Sequence, residues 1–150
     1  MSFPVRGAES KDQIRVVRFD EDAGESIQKI RFLVFTREQQ VDPALDLDGR
    51  DPEAVHVLAV KDGEPVGTGR MLDDGHIGRV AVLKEARGRG IGKQMILALI
   101  REAGTRGMSR VFLGAQKQAV GFYEKLGFRS FGLPYEEAGI IHIHMEKLLG

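Results

Sequence analysis

A glycine-rich basic segment carries the residue types and spacing in this sequence that point most directly to chemistry. The run RGRGIGK at residues 87–93 follows an apolar strand pattern and precedes an amphipathic helix pattern. Glycines let a chain curl until several N–H groups point to one spot, and a helix start adds unpaired N–H groups and a positive dipole end. Together with three cationic side chains, the segment predicts a binding site for a diphosphate.

Two familiar phosphate loops do not fit this spacing. A P-loop would need glycine where Arg87 stands and serine or threonine where Gln94 stands. A dinucleotide fingerprint would need glycine where Lys93 stands, inside a parallel βαβ unit. The remaining alternative is a helix start whose basic residues are merely solvated, but strand, spacing and cations together favour the diphosphate site.

The elements around this segment predict a mixed α/β fold. Apolar runs at 54–60, 66–72 and 77–82 are separated by Asp-Gly turns, which is typical of an antiparallel meander. The other predicted elements are strands at 14–19, 111–113, 128–133 and 140–145, and helices at 26–37, 91–104 or 91–107, and 116–126. We therefore expect a mostly antiparallel central sheet of six to seven strands flanked by helices.

Composition narrows the class of protein. A chain of 150 residues is the usual size of one domain, so we expect a single domain over 1–150, with 1–12 as a loose tail. The formal net charge of zero argues against a large surface for nucleic acid. The absence of cysteine excludes disulfides, thiolate metal sites and a cysteine nucleophile. No apolar run predicts a membrane span or a signal peptide, so the expected location is cytoplasmic.

Two motifs resemble those of a known family. The segment from Arg87 to Gly92 is similar to the R-x-x-G-x-G signature of the GNAT superfamily of acyl-CoA-dependent N-acyltransferases. Downstream, the residues from Phe122 to Phe128 resemble that family's F-Y-x-x-x-G-F element. A weaker resemblance to the small ElaA/YjcF-type branch lies in residues 31–35, 38–41 and 139–142.

The resemblance implies a cofactor site for acetyl-CoA, with no metal. The strand at 80–82 would splay from the strand at 111–114, and pantetheine would pair with backbone in the gap. Gln116 and Phe122, on the next helix, would flank the cofactor. The implied cofactor-binding residues are Val80, Ala81, Val82, Arg87, Gly88, Arg89, Gly90, Ile91, Gly92, Lys93, Gln116 and Phe122.

Acetyl transfer to an amine needs an acid for the leaving thiolate and a way to deprotonate the amine. The resemblance implies that Tyr123 is the general acid, although its spacing alone also fits a core aromatic. Glu38 is a candidate base or substrate contact, and His142 is a second candidate base. Each also fits an ordinary role, as an exposed charge or a hydrogen-bonded histidine, and His56 fits a core histidine. His142 and His144 form a pair without a third metal ligand.

An acidic stretch in the first half of the chain has two interpretations. It contains Asp42, Asp46, Asp48 and Asp51 but lacks the full calcium-loop pattern. It is either a solvated loop or a surface that attracts a cationic amine.

The function that follows from these observations is N-acetylation of a primary amine by acetyl-CoA. The expected route is direct attack in a ternary complex, and the expected partners are acetyl-CoA, an amine-bearing acceptor and a second copy in a homodimer. The alternatives are an acyl-CoA-binding sensor without turnover and an interaction module with the same fold.

Overall fold

The computed structural model describes residues 12–150. The expected loose tail at 1–12 lies outside this range except for Asp12, whose carboxylate accepts a hydrogen bond of 2.7 Å from the N–H of Asp62. The strands are β1 (Gln13–Val17), β2 (Val55–Lys61), β3 (Glu64–Met71), β4 (Ile77–Val82), β5 (Arg110–Gln116), β6 (Arg129–Glu137) and β7 (Ile140–Leu148). The α-helices are α1 (Glu21–Arg31), α2 (Pro43–Asp46), α3 (Ile91–Thr105) and α4 (Val120–Lys125).

The fold is the expected mixed α/β type, but its strands form two sheets. The first has the order β1-β2-β3-β4 and the second the order β5-β7-β6, so the expectation of one central sheet is corrected. The sheets join at a single parallel bridge between His76 and Phe112, where Phe112 N–H donates to the carbonyl of Gly75 at 3.0 Å. Gly75 has φ +93°, and a Cβ there would collide with the carbonyl oxygen of Arg110. Beyond this junction β4 and β5 separate.

A β-bulge bends β4 just after the junction. Thr68 pairs with Ala81 and Arg70 pairs with Gly78, so two steps along β3 oppose three along β4. The extra residue falls at Arg79, whose φ of 52° lies in the left-handed region. A bulge increases local twist and re-aims the strand, which contributes to the separation of β4 from β5.

Helices cover both faces of the first sheet. Asp20 caps α1 by accepting a hydrogen bond of 2.8 Å from the N–H of Ala23. The apolar face of α1 packs Ile27 and Ile30 with Leu58, whereas α3 packs Met95, Ile96 and Leu99 with Val57. Neighbouring residues of β2 thus face opposite helices, as the period-two geometry of a strand requires.

A buried ion network joins α1, the segment before β2, and β3. The Asp51 carboxylate accepts from both Nη atoms of Arg31 at 2.8 and 3.0 Å, and from Nη1 of Arg70 at 3.1 Å. Asp48 accepts from Arg70 at 2.8 and 2.9 Å. The guanidinium groups hold the pKa of both carboxyls below the ordinary value. The acidic stretch is exposed along much of its length, as expected of a solvated loop, but Asp48 and Asp51 are not a free negative surface, because arginines far along the chain neutralise them.

Two further aspartates of that stretch also have structural partners. Asp46 lies 2.9 Å from Nε of Arg79, the bulge residue. Asp42 caps α2 by accepting from the N–H of Ala44 at 2.9 Å. These contacts correct the idea that the stretch as a whole attracts a cationic substrate.

His56 is the buried core histidine that its apolar strand suggested, with a fully buried side chain and Nε2 at 2.9 Å from the carbonyl oxygen of Asp51. Burial lowers its pKa below the ordinary value. In the unfolded chain its pKa is about 6.5. Below that pH the unfolded state binds a proton that the folded state does not, so stability falls as the pH drops.

We therefore expect the free energy of unfolding to decrease between pH 6.5 and 5.5, by up to about 1.4 kcal/mol per pH unit from one such group. Aspartates contribute little in this window, since their carboxyls stay ionised in both states. Urea unfolding at three pH values measures the slope, and His56→Gln serves as the comparison. A free energy that stays constant down to pH 5.5 contradicts the prediction.

Candidate active site

The separation of β4 and β5 opens a cleft of about 810 Å³. Both strands line it, together with the segment after α1, α4, and the β6–β7 hairpin. Among its lining residues are Gln39, His76, Val80, Phe112, Gly114, Gln116, Tyr123, Tyr135 and His142. The structure thus brings Val80, Gln116, Tyr123 and His142 of the sequence-based candidates to one cavity.

The β4 arm of the cleft presents free backbone groups. Leu83 N–H donates to the carbonyl of Val66 in β3 at 2.8 Å. Because successive residues of a strand alternate in direction, Val82 and Val80 point their N–H and C=O groups away from β3 and toward β5. The carbonyl of Val82 accepts from Nε of Arg87 at 3.0 Å, so the free groups are the N–H of Val82 and both groups of Val80. Ala81 points its side chain into the buried cluster under α1 instead. An extended ligand with amide groups fits this edge as an added strand.

Residues 87–93, the predicted diphosphate site, form the tight turn with few side chains that their glycines predicted. Gly88 has φ +80° and Gly90 has φ +78°, and a Cβ at either position would meet nothing within 4 Å. The first hydrogen bond of α3 runs from Gln94 N–H to the carbonyl of Gly90 at 3.1 Å. Arg89 and Lys93 are exposed, and neither makes an ion pair with any residue between 12 and 150. Their charges are available to an anion.

The guanidinium group of Arg87, the first residue of the turn, already has hydrogen-bond partners within the protein. Its Nε donates to the carbonyl of Val82 at 3.0 Å, and its two Nη atoms bind both carboxylate oxygens of Glu38, one of them at 2.6 Å. This bidentate contact lowers the pKa of Glu38. A carboxylate held in this form by an arginine is a weak proton acceptor.

Gln39, the residue after Glu38, contacts the β5 arm of the cleft. Gln39 Oε1 accepts from Nε2 of Gln116 at 3.3 Å. Gln116 is the last residue of β5, which corrects its expected place on a helix; a short 3₁₀ turn (Lys117–Ala119) separates it from α4. Glu38 and Gln39 thus connect the two separated strands, and we call this pair the strap.

The strap owes its position to a wide helical turn. After α1 the chain continues as a π-helix (Phe32–Glu38), in which Gln39 N–H donates to the carbonyl of Val34 at 3.0 Å. The predicted helix at 26–37 therefore begins earlier, at Glu21, and changes its geometry after Arg31. Such turns are frequent at functional sites.

We expect Glu38→Gln to weaken cofactor binding without stopping catalysis. The exposed ion pair between Glu38 and Arg87 holds the first residue of the turn, where we expect the cofactor to bind. Its loss is worth up to about fivefold in an equilibrium constant, so we expect the KM for acetyl-CoA to rise by up to that factor and kcat to change by less. Steady-state kinetics and a pH–rate profile measure this. In the double variant with Arg87→Gln, the two effects should not add. A fall of about 100-fold in kcat would instead identify Glu38 as the base.

Tyr123 lies on α4 with its ring at the cleft and only 8% of the residue exposed. Burial raises its pKa to about 12, so the phenol keeps its proton at neutral pH. Phe122 packs edge-on against Tyr123 with ring centroids 5.0 Å apart. A Cβ on Gly92 would stand 3.6 Å from the Phe122 ring, which places Phe122 beside the start of α3.

The histidine pair of β7 belongs to an aromatic stack. Nδ1 of His142 lies 2.8 Å from the carbonyl oxygen of Ile140. The ring of Tyr135 stacks on His144 at 4.3 Å and on His142 at 5.4 Å. Across residues 12–150, no group of three acidic or histidine side chains is arranged to hold a metal ion.

Several residues that line the cleft carried no site prediction from the sequence, among them Phe112, Glu136 and Glu137, and also His76 and Tyr135. His76 stacks on Phe112 with centroids 4.8 Å apart, and burial lowers its pKa. The hydroxyl of Tyr135 lies so close above Gly114 that any Cβ there would collide with it. A glycine inside the predicted strand was the one available signal, since it often marks close approach of another group. His76 carried no signal, because it stands alone after a turn.

Similarity to known proteins agrees with this architecture. The family model "Acetyltransferase (GNAT) domain" matches residues 24–149. The uncharacterized N-acetyltransferase YjcF of Bacillus subtilis is 37% identical over 122 residues, covering 79% of this chain and 87% of that protein. The crystal structure of Escherichia coli ElaA superposes with a TM-score of 0.81 at 30% identity, covering 91% of this chain and 99% of ElaA.

A more distant structure shares the fold alone. An aminoglycoside 6′-N-acetyltransferase complexed with coenzyme A superposes with a TM-score of 0.73 at 19% identity, covering 91% of this chain and 96% of that one. In the described part of the chain, no helix has the length and apolar character needed to cross a membrane. The family model, the curated relatives and the fold agree, and the chain belongs to the GNAT acetyltransferase family, in its ElaA/YjcF-like branch.

Proposed function

We propose that this protein transfers an acetyl group from acetyl-CoA to a primary amine by direct attack in a ternary complex. The observation that carries the proposal is the cleft between β4 and β5, which has a strand edge on one side and Tyr123 in its lining, while the glycine turn follows β4 along the chain. The coenzyme A bound to the distant aminoglycoside acetyltransferase of the same fold supports this assignment.

The residues present fit the cofactor. The turn offers N–H groups at the start of α3, and its free cations Arg89 and Lys93 complement a diphosphate. Val80 and Val82 would pair with the amides of pantetheine, with Gln116 and Phe122 on either side. Ala81 supports the strand from the core, and Arg87, Gly88, Gly90, Ile91 and Gly92 shape the turn.

Acetyl-CoA supplies the acetyl group as a thioester. We propose that a backbone N–H at the end of β4 stabilises the negative charge that develops on the carbonyl oxygen as the amine nitrogen bonds to the carbonyl carbon. Tyr123 donates its proton to the sulfur as the C–S bond breaks, and water returns a proton to the phenolate. The amine nitrogen loses one proton to a base or to solvent, and His142 is the candidate base.

The further expectations of a single domain over 1–150, a homodimer and a cytoplasmic location remain proposals. Light scattering measures the oligomeric state, and limited proteolysis reports whether the chain behaves as one folded unit.

Gly90→Ala tests the placement of the diphosphate, with Gly63→Ala as its matched control. Both glycines have a positive φ (+78° and +82°) with open space around a Cβ, so the two variants share the same backbone strain. Gly63 lies in the β2–β3 hairpin, outside the cleft. We expect Gly90→Ala to weaken coenzyme A binding about tenfold, since a methyl group prevents close approach to the backbone.

Calorimetric titration with coenzyme A and a thiol-release assay measure the outcome. Equal affinity for coenzyme A in the two variants would contradict the proposed turn site. Binding and thermal stabilisation by acetyl-CoA without thiol release across a broad amine panel would favour the sensor over the enzyme.

A further inference from the structure

Stacked rings line one wall of the cleft. His76 and Phe112 form a nearly parallel stack, with centroids 4.8 Å apart and planes inclined by 11°. On the same face of the second sheet, above Gly114, Tyr135 stacks on His144 at 4.3 Å with planes inclined by 24°. Phe35, on the π-helix, lines the same space. Flat hydrophobic surfaces thus bound this part of the cleft on three elements.

The rim of the same space carries unpaired negative charge. Glu136 and Glu137, at the end of β6, are exposed and line the cleft, and neither forms an ion pair with another residue in the range 12–150. Glu137 is close enough to influence the pKa of both His76 and Tyr135. The one lining arginine, Arg79, is neutralised by aspartates and offers no opposing charge.

Several polar side chains of the cleft already have partners within the protein, and the neutral polar atoms left free belong mainly to its aromatic rings, those of His76, Tyr123, Tyr135 and His144. Gln39 and Gln116 bind each other, Nδ1 of His142 has a backbone partner, and Asp46 is bound to Arg79. A ligand that loses its hydrogen bonds to water without replacing them binds poorly. A ligand with several separated cations would find negative charge only at the rim.

Resting on the proposed function, we propose that the acceptor is an aralkylamine: a primary amine on a short aliphatic linker attached to an aromatic ring. The ring packs on the aromatic wall that these stacks form, and the ammonium group first meets Glu136 and Glu137. It loses its proton before its nitrogen attacks the acetyl carbon. Tyr135 is then the residue that distinguishes a flat ring from other apolar groups.

An amine panel tests this inference. It contains 2-phenylethylamine, its saturated analogue 2-cyclohexylethylamine, spermidine, kanamycin and a lysine peptide, each assayed for thiol release with acetyl-CoA. We expect the highest kcat/KM for 2-phenylethylamine, about fivefold or more above the saturated analogue, since stacked aromatic contacts add specificity beyond the buried area. The neutral 2-phenylethanol should bind more weakly than the amine.

Three variants assign the effect to residues. Tyr135→Leu should raise the KM for 2-phenylethylamine about fivefold and leave that for the saturated analogue within about twofold. Glu137→Gln should raise the KM for both charged amines about threefold, less so at high salt. Glu64→Gln removes an exposed carboxylate in the β2–β3 hairpin, outside the cleft, and should change none of these values. Thermal melting checks that each variant is folded.

The outcomes separate this inference from the proposed function. Acetylation of spermidine, kanamycin or the peptide in preference to both ring-bearing amines overturns the inference and leaves the acetyltransferase intact. Equal loss of both ring-bearing amines in Tyr135→Leu overturns the role of the aromatic face. If no amine releases thiol, calorimetric binding of the same panel to the coenzyme A complex decides the ligand class, and the enzyme proposal fails independently.

Discussion

Asp51→Asn lowers the free energy of unfolding by about 3–5 kcal/mol, because it leaves two buried guanidinium groups without their shared carboxylate. Arg31 is 1% exposed and Arg70 is 3% exposed, so solvent does not replace the lost charge. Arg70 keeps its two contacts with Asp48, whereas the nearest other carboxylate to Arg31 is Asp46 at 3.9 Å, so most of the loss falls on Arg31. Both side chains already have a buried Nε without a partner among the described residues. Denaturant unfolding at pH 7.5 measures the change.

Asp42→Asn is the matched control for this substitution. Asp42 is exposed and caps a short helix, and asparagine is an equally good capping residue, so stability should change by less than about 0.5 kcal/mol. A loss below about 1 kcal/mol in Asp51→Asn would mean that the two arginines find other partners. The segment that carries Asp46, Asp48 and Asp51 would then not depend on this ion network for its position.

On the proposed mechanism, Tyr123→Phe should lower kcat about 100-fold at saturating substrate, because the leaving sulfur would lose its proton donor while the packing of the ring is kept. The KM for acetyl-CoA should stay within about twofold, since the hydroxyl acts only as the C–S bond breaks. Steady-state kinetics with a reactive primary amine measures both constants.

The pH dependence gives an independent check on Tyr123. Because its pKa is about 12, the wild-type rate should not fall between pH 8 and 10 through loss of this proton. If kcat of Tyr123→Phe stays within about threefold of the wild-type value, Tyr123 is a core aromatic and water protonates the sulfur.

Local chemistry explains which elements were predictable. The β2–β3 and β3–β4 turns were visible because Asp-Gly pairs favour tight turns, and α3 was visible from its apolar period. Residues 77–82 form the strand as predicted. The glycine turn was predictable because the positive φ angles that it needs are supplied by glycines within a few consecutive residues.

Long-range contacts explain what was missed. The split into two sheets depends on the junction between His76 and Phe112, which lie far apart in the chain. The acidic stretch looked free because its partners Arg31, Arg70 and Arg79 lie on other elements. Glu38 looked like a candidate base because nothing in the spacing announced its contact with Arg87. Patterns along the chain report periodicity, whereas charge pairing is decided by how the elements pack.

The strap links the glycine turn to the end of β5 through a segment that also lines the cleft, where the proposed function places the acceptor. Phe35 and Gln39 belong to one stretch of chain, and Gln39 and its neighbour Glu38 contact opposite arms. On the proposed function, a molecule that displaces Phe35 should therefore also change how the two strands hold pantetheine. The residence time of spent coenzyme A should accordingly lengthen while a bulky acetylated product remains bound, which makes the order of product departure depend on product size.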